Sequence, residues 1–328
     1  MKGRIRALGL ISGGLDSMLA SRVLQEQGIE VIGYAFASPF FGPQAAIRSA
    51  GTLGIRLEVV EITRAYMDIL KHPRYGYGKN MNPCVDCHAF MFRLAGQRMV
   101  SENARFLFSG EVLGQRPFSQ NRGALRAVAN LSGYAKHIVR PLSARLLDET
   151  EPERQGWVDR SLLLDLEGRS RRRQMELADR FKLSDVPGSA GGCLLTDANF
   201  SRRLRDLLER VPDPEPLELE RLKLGRHLRW DERSRLIVGR REEENRRLEK
   251  LRLPGEVRLD VEGFPGPVVL LTGSDHSPEA LSFAARVAVR YSDAPRGHSC
   301  RVAYTDGAGS GALVAAACAD DELRGRMI

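Results

Sequence analysis

The stretch Ser12-Gly13-Gly14-Leu15-Asp16-Ser17 decides the fold, because it joins an apolar run, Ile5–Ile11, to a helical pattern that starts near Ser17. Glycines without β-carbons let a phosphate approach backbone N–H groups, and the start of a helix carries positive partial charge. Ser12 and Ser17 add hydroxyl donors. Asp16 does not suit phosphate alone, but it suits a Mg²⁺ ion held between a carboxylate and a polyphosphate. The stretch therefore predicts a nucleotide and metal site, and an ordinary glycine-rich turn is the alternative.

Strand-like and helical runs alternate from Arg4 to about Arg140. The predicted strands are Ile5–Ile11, Val31–Phe36, Leu57–Ile62 and Phe106–Ser109, and the predicted helices are Ser17–Gln27, Gln44–Leu53 and Ala89–Asn103. This alternation predicts an α/β fold with a doubly wound parallel sheet. Ligands bind such sheets beyond the carboxyl ends of the strands, where the Ser12–Ser17 loop lies.

The remainder of the chain predicts a second, smaller α+β domain. A polar, arginine-rich helical stretch spans about Pro152–Leu183, and the proline-rich segment Pro212–Pro216 is typical of a stiff linker. We therefore expect domains at residues 1–211 and 217–328. The second domain is predicted to contain strands near Leu224–Trp230, Arg235–Gly239 and Val268–Thr272, helices near Glu242–Leu251 and Pro278–Ser292, and a Gly/Ala-rich tail.

The composition favours a protein of a reducing compartment with a polyanionic partner and argues against a membrane protein. The 328 residues include 50 Lys and Arg against 42 Asp and Glu, and the resulting net charge of +8 favours a polyanionic partner. Five cysteines without a preceding secretory segment indicate a reducing compartment, the cytoplasm. A run of about 18 apolar residues, which a membrane-spanning helix needs, is missing, so no membrane association is expected.

Three cysteines are candidate metal ligands. Asn82-Pro83-Cys84-Val85-Asp86-Cys87 places two thiols before a helix, whose dipole, with cationic neighbours, is expected to lower their pKa. Cys193, in a glycine-flanked turn, is separated from Cys87 by 105 residues. Three thiolates without a fourth suit a [4Fe–4S] cluster with one open iron, whereas four suit zinc. The alternatives are a redox pair or unrelated thiols, and Cys300 and Cys318 are interpreted as structural.

The Ser12–Ser17 motif resembles the SGGxDS loop of the PP-loop ATP pyrophosphatases, which implies a PP-loop, HUP-like fold. Asn82-Pro83-Cys84…Cys87 is similar to the NPxxxC and PCxxC segments of tRNA 2-thiouridylases and related tRNA sulfur-transfer enzymes. Cys84 stands where the classical 2-thiouridylases have an aspartate, and in this it looks like the iron–sulfur branch of tRNA thiolation enzymes. The resemblance implies catalytic roles for Asp16, Cys87 and Cys193, with a persulfide as the alternative to a cluster.

The resemblance also implies a set of ATP contacts. ATP and Mg²⁺ are expected at Ser12, Gly13, Gly14, Asp16, Ser17 and Phe36. The segment Gly110–Pro117 follows the Phe106–Ser109 run and corresponds to a turn that closes over ATP in related enzymes, which adds Gly110, Gln115 and Arg116. A simple strand-to-helix loop is the alternative there. Arg140-Pro141-Leu142-Ser143 resembles a segment found in the same context, and it receives no role.

Two arginine-rich regions are predicted to bind RNA. Residues 221–252 hold 12 Lys and Arg against 6 Asp and Glu, and guanidinium clusters suit phosphodiester backbones. Leu224–Arg229 with Val238–Asn245 resembles the RNA-binding R domain of NFACT proteins. The expected contacts are Arg169, Arg171, Arg172, Arg173, Arg226, His227, Arg229, Arg240 and Arg241. A solvated charged face, in which Glu242–Glu244 neutralise nearby arginines, is the alternative.

The expected function is ATP-dependent tRNA uridine thiolation, in which a uridine carbonyl oxygen is adenylated and then replaced by sulfur. The expected partners are tRNA and a sulfur donor protein or inorganic sulfide, and a homodimer is one option. Two alternatives stay open: a PP-loop ligase that does not act on RNA and holds structural zinc, and an RNA-binding adaptor that does not turn over ATP.

Overall fold

A computed structural model describes residues 4–183, 192–307 and 309–328. The chain divides into two compact units, Met1–Thr196 and Asp197–Ile328. This packing groups residues 197–211 with the second unit, and the domain limits expected from the sequence, 1–211 and 217–328, stay a prediction. Within the described ranges no helix has the length and apolar character needed to span a membrane.

The first unit is built on a five-stranded parallel sheet, which confirms the predicted α/β fold. Its strands are β1 (Arg6–Leu10), β2 (Glu30–Ala37), β3 (Arg56–Glu61), β4 (Phe106–Ser109) and β5 (Ile138–Val139). Its helices are α1 (Leu15–Glu26), α2 (Gln44–Leu53), α3 (Thr63–Lys71), α4 (Cys84–Gln97), α5 (Arg122–Ser132), α6 (Glu151–Arg154) and α7 (Arg172–Arg180). The strand order is β3-β2-β1-β4-β5. Strands β2 and β3 are therefore added on one side of β1, and β4 and β5 on the other.

The core of this unit packs between the sheet and its helices. β1 and β4 are buried strands, and Leu19, Leu24 and Phe106 have no exposed surface. Because β1 lies between β2 and β4, the loop that follows β1 opens at the point where the strand order changes direction. Open α/β sheets bind ligands at this position.

The single helical stretch expected over Pro152–Leu183 is wrong. The structure contains α6 and α7 instead, with turns and irregular backbone between them. Gly156 and Gly168 lie between the two helices with φ of +66° and +82°, conformations that a continuous helix cannot contain. The residues of this segment favour a helix, but Gly156 and Gly168 interrupt it.

The second unit contains a six-stranded antiparallel sheet with helices, as expected for a smaller α+β domain. Its strands are β6 (Arg226–Arg229), β7 (Ser234–Val238), β8 (Val257–Val261), β9 (Val269–Gly273), β10 (Cys300–Thr305) and β11 (Ser310–Ala315). Its helices are α8 (Ala198–Arg210), α9 (Pro216–Arg221), α10 (Glu242–Lys250), α11 (Pro278–Arg290) and α12 (Asp320–Arg324). The apolar face of α11 packs on the sheet through Phe283 and Val287.

The sequence analysis missed β8, β10 and β11. β8 alternates buried Val257, Leu259 and Val261 with half-exposed charged residues, which is the pattern of a half-buried strand. The Gly/Ala-rich tail forms much of β10 and β11. β10 pairs with β8, and β11 pairs with β10, so backbone pairing extends the sheet although the side chains of β11 are mostly exposed or half-exposed. Cys300 and Cys318 lie in the core of this unit and are both buried, in agreement with a structural role.

Candidate nucleotide and sulfur site

The Ser12–Ser17 loop connects β1 to α1, in the strand–loop–helix context that the sequence predicts. Gly13 has φ of +81°, and a Cβ there would lie 2.2 Å from the carbonyl carbon of Ala45. Gly13 is therefore required by its backbone conformation and by close packing on the start of α2. Gly14 caps α1, its N–H donates to Ser12 Oγ at 3.3 Å, and its carbonyl accepts from Ser17 Oγ at 2.7 Å.

The turn after β4 packs directly against this loop. A Cβ on Gly110 would lie 2.4 Å from both the carbonyl carbon of Asp16 and the nitrogen of Ser17, so only glycine fits. From the same turn, Gln115 Nε2 donates to Asp16 Oδ2 at 3.0 Å. The predicted ATP contacts Gly110 and Gln115 thus lie beside the predicted metal ligand. Phe36, by contrast, is a largely buried side chain of β2, and its contact with ATP stays a prediction.

The carboxylate of Asp16 is largely buried, and one of its two oxygens lacks a hydrogen-bond partner among the described residues. Burial raises the pKa of its carboxyl, against the hydrogen bonds from Gln115 and Gln174 and the positive charges of Arg171 and Arg116. Among the described residues, buried Asp16 Oδ1 and Gln115 Oε1 have no hydrogen-bond partner. Two unpaired oxygen acceptors next to a phosphate-type loop are the kind of ligand that a hard divalent cation takes.

The three candidate sulfur ligands come together in the first unit. Cys84 begins α4 and accepts a hydrogen bond from Asn82 Nδ2 at 3.2 Å, and Cys87 lies one turn further along the helix. The Cys87 thiol is within electrostatic range of both Cys84 and Cys193. The Cys193 segment is held there because Leu194 N–H donates to the Phe40 carbonyl at 2.9 Å.

These thiols do not form a closed metal site. Over residues 4–183, 192–307 and 309–328, no three His, Cys, Asp or Glu side chains are arranged to hold a metal ion. The expectation that the helix start lowers the pKa of the Cys87 thiol is wrong. Burial raises the pKa of Cys87 far above its usual value, against a hydrogen bond from Tyr66, and raises that of Cys193 to about 11, against a backbone hydrogen bond from Leu195. Gly191, in the predicted turn, lies outside the described residues.

Two further features were missed because they depend on tertiary packing. Tyr66, almost fully buried on α3, hydrogen-bonds through its hydroxyl to the Cys87 thiol. Glu111 lies between His88 and Arg140: Nδ1 of His88 is 2.8 Å from one carboxylate oxygen, and Arg140 Nε donates to the other at 2.9 Å. Burial opposes ionisation of Glu111, but Arg140 and His88 outweigh it and lower its pKa to about 2.

The Arg140–Ser143 segment, which had no role from the sequence, supports the walls of the site. Arg140 is the partner of Glu111, and Ser143 Oγ accepts from Leu113 N–H at 3.0 Å and donates to the Leu166 carbonyl at 2.7 Å. Ser143 therefore joins the turn after β4 to the segment that leads into α7.

The predicted RNA contacts fall into different environments. In the first unit Arg169 is exposed, Arg172 lies 3.6 Å from Glu176, and Arg173 donates to Asp165 at 2.6 Å. Arg171 instead lies within electrostatic range of Asp16. An arginine run in the sequence therefore does not correspond to one surface.

In the second unit, the predicted contact His227 is wrong, because its side chain is fully buried and its Nε2 lies 2.9 Å from the Leu224 carbonyl oxygen. Arg229 pairs with Asp206, and the Arg226 guanidinium lies 4.5 Å from the centroid of the Tyr291 ring. The exposed members are Arg240, whose Nη2 lies 2.7 Å from Glu244, and Arg241, which precedes α10. The Arg240 pair is one of the neutralising contacts that the alternative interpretation expects.

Comparison with known families adds to this geometry. Residues 3–145 match the family described as thiamine biosynthesis protein (ThiI), and residues 225–325 match the NFACT protein RNA binding domain. The chain thus joins a PP-loop domain similar to tRNA thiouridine synthases to an NFACT-type RNA-binding domain. Both resemblances noted in the sequence analysis are confirmed.

Individual relatives are similar over parts of the chain. The tRNA-specific 2-thiouridylase MnmA of Nitratidesulfovibrio vulgaris is 27% identical over 242 residues, covering 66% of this chain and 62% of its own. The tRNA-specific 2-thiouridylase MnmA 3 of Bacteroides fragilis is 37% identical over 93 residues, covering 27% and 26%. The chain thus spans less than two thirds of either relative. A 4-thiouridine synthetase solved with RNA and ATP has a TM-score of 0.39 at 19% identity, over 66% of this chain and 53% of that one.

Proposed function

We propose that this protein is an ATP-dependent tRNA sulfurtransferase that adenylates a uridine carbonyl oxygen and replaces it with sulfur. The observation that carries the proposal is the position of Arg116. Its charge lowers the pKa of both the Asp16 carboxyl and the Cys193 thiol, which supports placing the nucleotide half and the sulfur half in one site. The similarity of residues 3–145 to ThiI and of the chain to tRNA 2-thiouridylases supports tRNA as the substrate class.

The nucleotide half fits ATP with Mg²⁺. The residues that would hold the cation are Asp16, through its unpaired Oδ1, and Gln115, through its unpaired Oε1. A bound cation would offset charge on the phosphates. The backbone N–H groups at the start of α1 and the Ser12 hydroxyl would bind phosphate oxygens, since a helix N-terminus favours anions.

In the first step the uridine carbonyl oxygen attacks the α-phosphorus of ATP. The new oxygen–phosphorus bond forms as the bond to the bridging oxygen of pyrophosphate breaks, and the electron pair leaves on pyrophosphate. The base gives up its N3 proton to water, so the adenylated base is neutral. In the second step hydrosulfide adds at the same carbon, AMP leaves with the original carbonyl oxygen, and the sulfhydryl proton returns to N3.

Three cysteines would form the part of the site that supplies sulfur. Cys84, Cys87 and Cys193 are the ligands proposed for a [4Fe–4S] cluster: the Cys87 thiol lies within electrostatic range of the other two, and the three side chains would have to close up to hold it. Such a cluster, when bound, would supply sulfur in a nucleophilic form. A persulfide on Cys87 or Cys193 is the alternative chemistry, and structural zinc the alternative metal. Tyr66 donates to the Cys87 sulfur and fixes its position, whichever of these applies.

The second unit would supply RNA affinity. Its NFACT-type domain covers residues 225–325, and the exposed Arg241 and Arg247 on or next to α10 are available for phosphates. Turning a base into the site costs a few kcal/mol, which backbone contacts help to offset. A sulfur donor protein or sulfide, a cytoplasmic location and a homodimer stay predictions.

The test is an ATP–pyrophosphate assay with purified protein, Mg²⁺ and sulfide, with and without unmodified tRNA, followed by mass spectrometry of the tRNA nucleosides. We expect pyrophosphate and AMP to form only with tRNA, together with a thiolated uridine. Pyrophosphate release that ignores tRNA would instead identify a ligase acting on another substrate. Tight tRNA binding without any ATP cleavage would identify an adaptor.

A further inference from the structure

The segment between α3 and α4, residues 72–83, forms a loop that the proposed mechanism does not use. It is anchored by Asp86, which lies in the first turn of α4 between the two cysteines and is 6% exposed. The backbone N–H groups of Arg74 and Tyr75 donate to the two carboxylate oxygens of Asp86 at 2.9 and 3.0 Å. A buried carboxylate that is paired in this way fixes the first part of the α3–α4 loop against the start of α4.

The last part of the α3–α4 loop contacts both cysteine segments. Asn82 Nδ2 donates to Cys84 Sγ at 3.2 Å. Asn80 Nδ2 donates to the Thr196 carbonyl oxygen at 2.7 Å, and the Thr196 N–H donates to the Cys193 carbonyl oxygen at 3.1 Å. The loop therefore lies against Cys84 and beside the turn that begins at Cys193.

Three exposed side chains of the α3–α4 loop carry an aromatic ring or a positive charge. Tyr75 is 45% exposed, and Arg74 and Lys79 are exposed as well. Over residues 4–183, 192–307 and 309–328, neither Arg74 nor Lys79 forms an ion pair. The exposed Arg172 and Arg240, by contrast, are paired with glutamates of their own helices. The charges of the loop are thus available to a partner that arrives from solvent.

The α3–α4 loop lies at the edge of the sheet where a substrate base must enter. Helix α4 leads into β4, which is parallel to β1, so α4 runs against the strands and begins near their carboxyl ends. The Ser12–Ser17 loop follows β1 at the same edge. Because nucleotides are covalently joined, a uridine brought to the cysteines places its neighbours on the surface around them. The α3–α4 loop forms part of that surface, since it contacts Cys84.

We propose that the α3–α4 loop binds the single-stranded RNA that flanks the target uridine, with Tyr75 stacked on a neighbouring base and Arg74 and Lys79 on phosphates. The inference rests on the proposed function, in which tRNA is the substrate. An aromatic ring beside cations suits single-stranded nucleic acid, because every base offers a face for stacking and cations follow the backbone. The two charges alone would also suit an acidic protein, but the exposed ring next to Arg74 favours RNA. The anchoring by Asp86 holds the loop in place before RNA binds, which lowers the cost of ordering it.

The experiment compares variants of the α3–α4 loop in the full-length protein: Tyr75→Ala, Tyr75→Phe, Arg74→Ala and Lys79→Ala. The matched control is Lys136→Ala. Lys136 is an exposed lysine in the turn before β5, at the amino end of the strands and thus at the opposite edge of the sheet. Affinity for unmodified tRNA is measured without ATP by filter binding over a range of salt concentrations. Near-UV circular dichroism checks folding.

Tyr75→Ala should weaken tRNA binding about 10-fold with an unchanged salt slope, as loss of one stacked base does. Tyr75→Phe should bind like the wild-type protein, since the ring is kept. Arg74→Ala and Lys79→Ala should each reduce the salt slope by about one, as loss of a single phosphate contact does, while Lys136→Ala keeps the wild-type slope.

Two results would overturn the inference. One is tRNA affinity and salt slopes of the loop variants equal to those of Lys136→Ala, which would leave the exposed charges to an acidic protein partner. The other is a loss in Tyr75→Phe as large as in Tyr75→Ala, which would assign the effect to the hydroxyl group and not to stacking. Binding is measured without ATP, so this outcome is separate from the proposed function. A wild-type protein that binds tRNA but does not thiolate it fails the proposed function, while the comparison of variants still tests the loop.

Discussion

The side-chain amide of Gln115 donates a 3.0 Å hydrogen bond to the carboxylate of Asp16, although the two residues are 99 positions apart in the sequence. The bond joins the loop after β1 to the turn after β4, and among the described residues it leaves Asp16 Oδ1 and Gln115 Oε1 buried without a hydrogen-bond partner. The loops that follow two adjacent strands of a parallel sheet, β1 and β4, thus place a carboxylate and an amide at one edge of the sheet.

Asp16→Asn should abolish tRNA-dependent pyrophosphate release and leave the fold intact. The change removes the carboxylate proposed to bind Mg²⁺, whereas the shape of the side chain and its contact with the turn after β4 are preserved. The matched control is Asp148→Asn, since Asp148 is a highly exposed carboxylate paired with Arg126 at 3.4 Å. Turnover of Asp16→Asn at the rate of the Asp148→Asn control would contradict the metal-ligand role.

Gly110→Ala should reduce ATP turnover, because the new Cβ would lie 2.4 Å from the backbone of Asp16 and Ser17 and force the start of α1 away from β4. Overpacking of this kind typically costs about 1–3 kcal/mol. Gly51→Ala is the control, since it lies within α2 with open space around it and should raise helix stability by up to about 1 kcal/mol. Thermal unfolding and pyrophosphate release are measured on both, and equal behaviour would argue against close packing at Gly110.

Ala at Cys84, Cys87 or Cys193 should remove bound iron and thiolation while ATP binding persists. The wild-type protein, reconstituted without oxygen, should hold about four irons per chain, as a [4Fe–4S] cluster requires. Cys318→Ala is the control, because that thiol lies in the core of the second unit. Iron and acid-labile sulfide are measured chemically. If the protein holds one zinc ion and no iron, the cluster hypothesis is wrong and the cysteines bind a structural metal.

The second unit should lose stability as the pH falls from 7 to 5. Burial lowers the pKa of His227 well below its usual value, so the folded form stays neutral while the unfolded chain binds a proton below about pH 6.5. The stabilisation is therefore complete above that pH and is lost as the pH falls toward the folded pKa. Urea midpoints at pH 7 and 5 measure it, and His227→Gln should flatten the dependence. A wild-type midpoint that does not change would contradict burial of a neutral imidazole.

Arg241→Ala should weaken tRNA binding about equally for all sequences and reduce the salt slope by about one, as loss of a single phosphate contact does. Arg241 is exposed and precedes α10. Arg324→Ala, an exposed arginine of α12, is the control. Filter binding over a range of salt concentrations gives both slopes. If Arg241→Ala keeps the slope of the control, the face around α10 is solvated and does not bind RNA.

Local chemistry in the sequence determined the nucleotide loop, the alternation of strands and helices, and the cysteine pair. Glycines and a carboxylate between a strand and a helix predict a phosphate site, and the 2.0 and 3.6 residue periods are visible in any short window. These features depend on neighbours within a few residues, so one sequence was enough to predict them. The small residues of β10 and β11 carry a weaker pattern, and those strands were missed.

Tertiary structure alone decided which side chains meet. Cys193 reaches Cys87, and Tyr66 donates to that thiol, only because separate segments pack around α4. The charge of Arg171 acts on Asp16 while Arg172 pairs with Glu176, and His227 is fully buried near the charged Arg235 and Arg203. A residue type specifies charge and hydrogen-bonding capacity, whereas the direction of its side chain depends on long-range packing, which no short window of sequence contains.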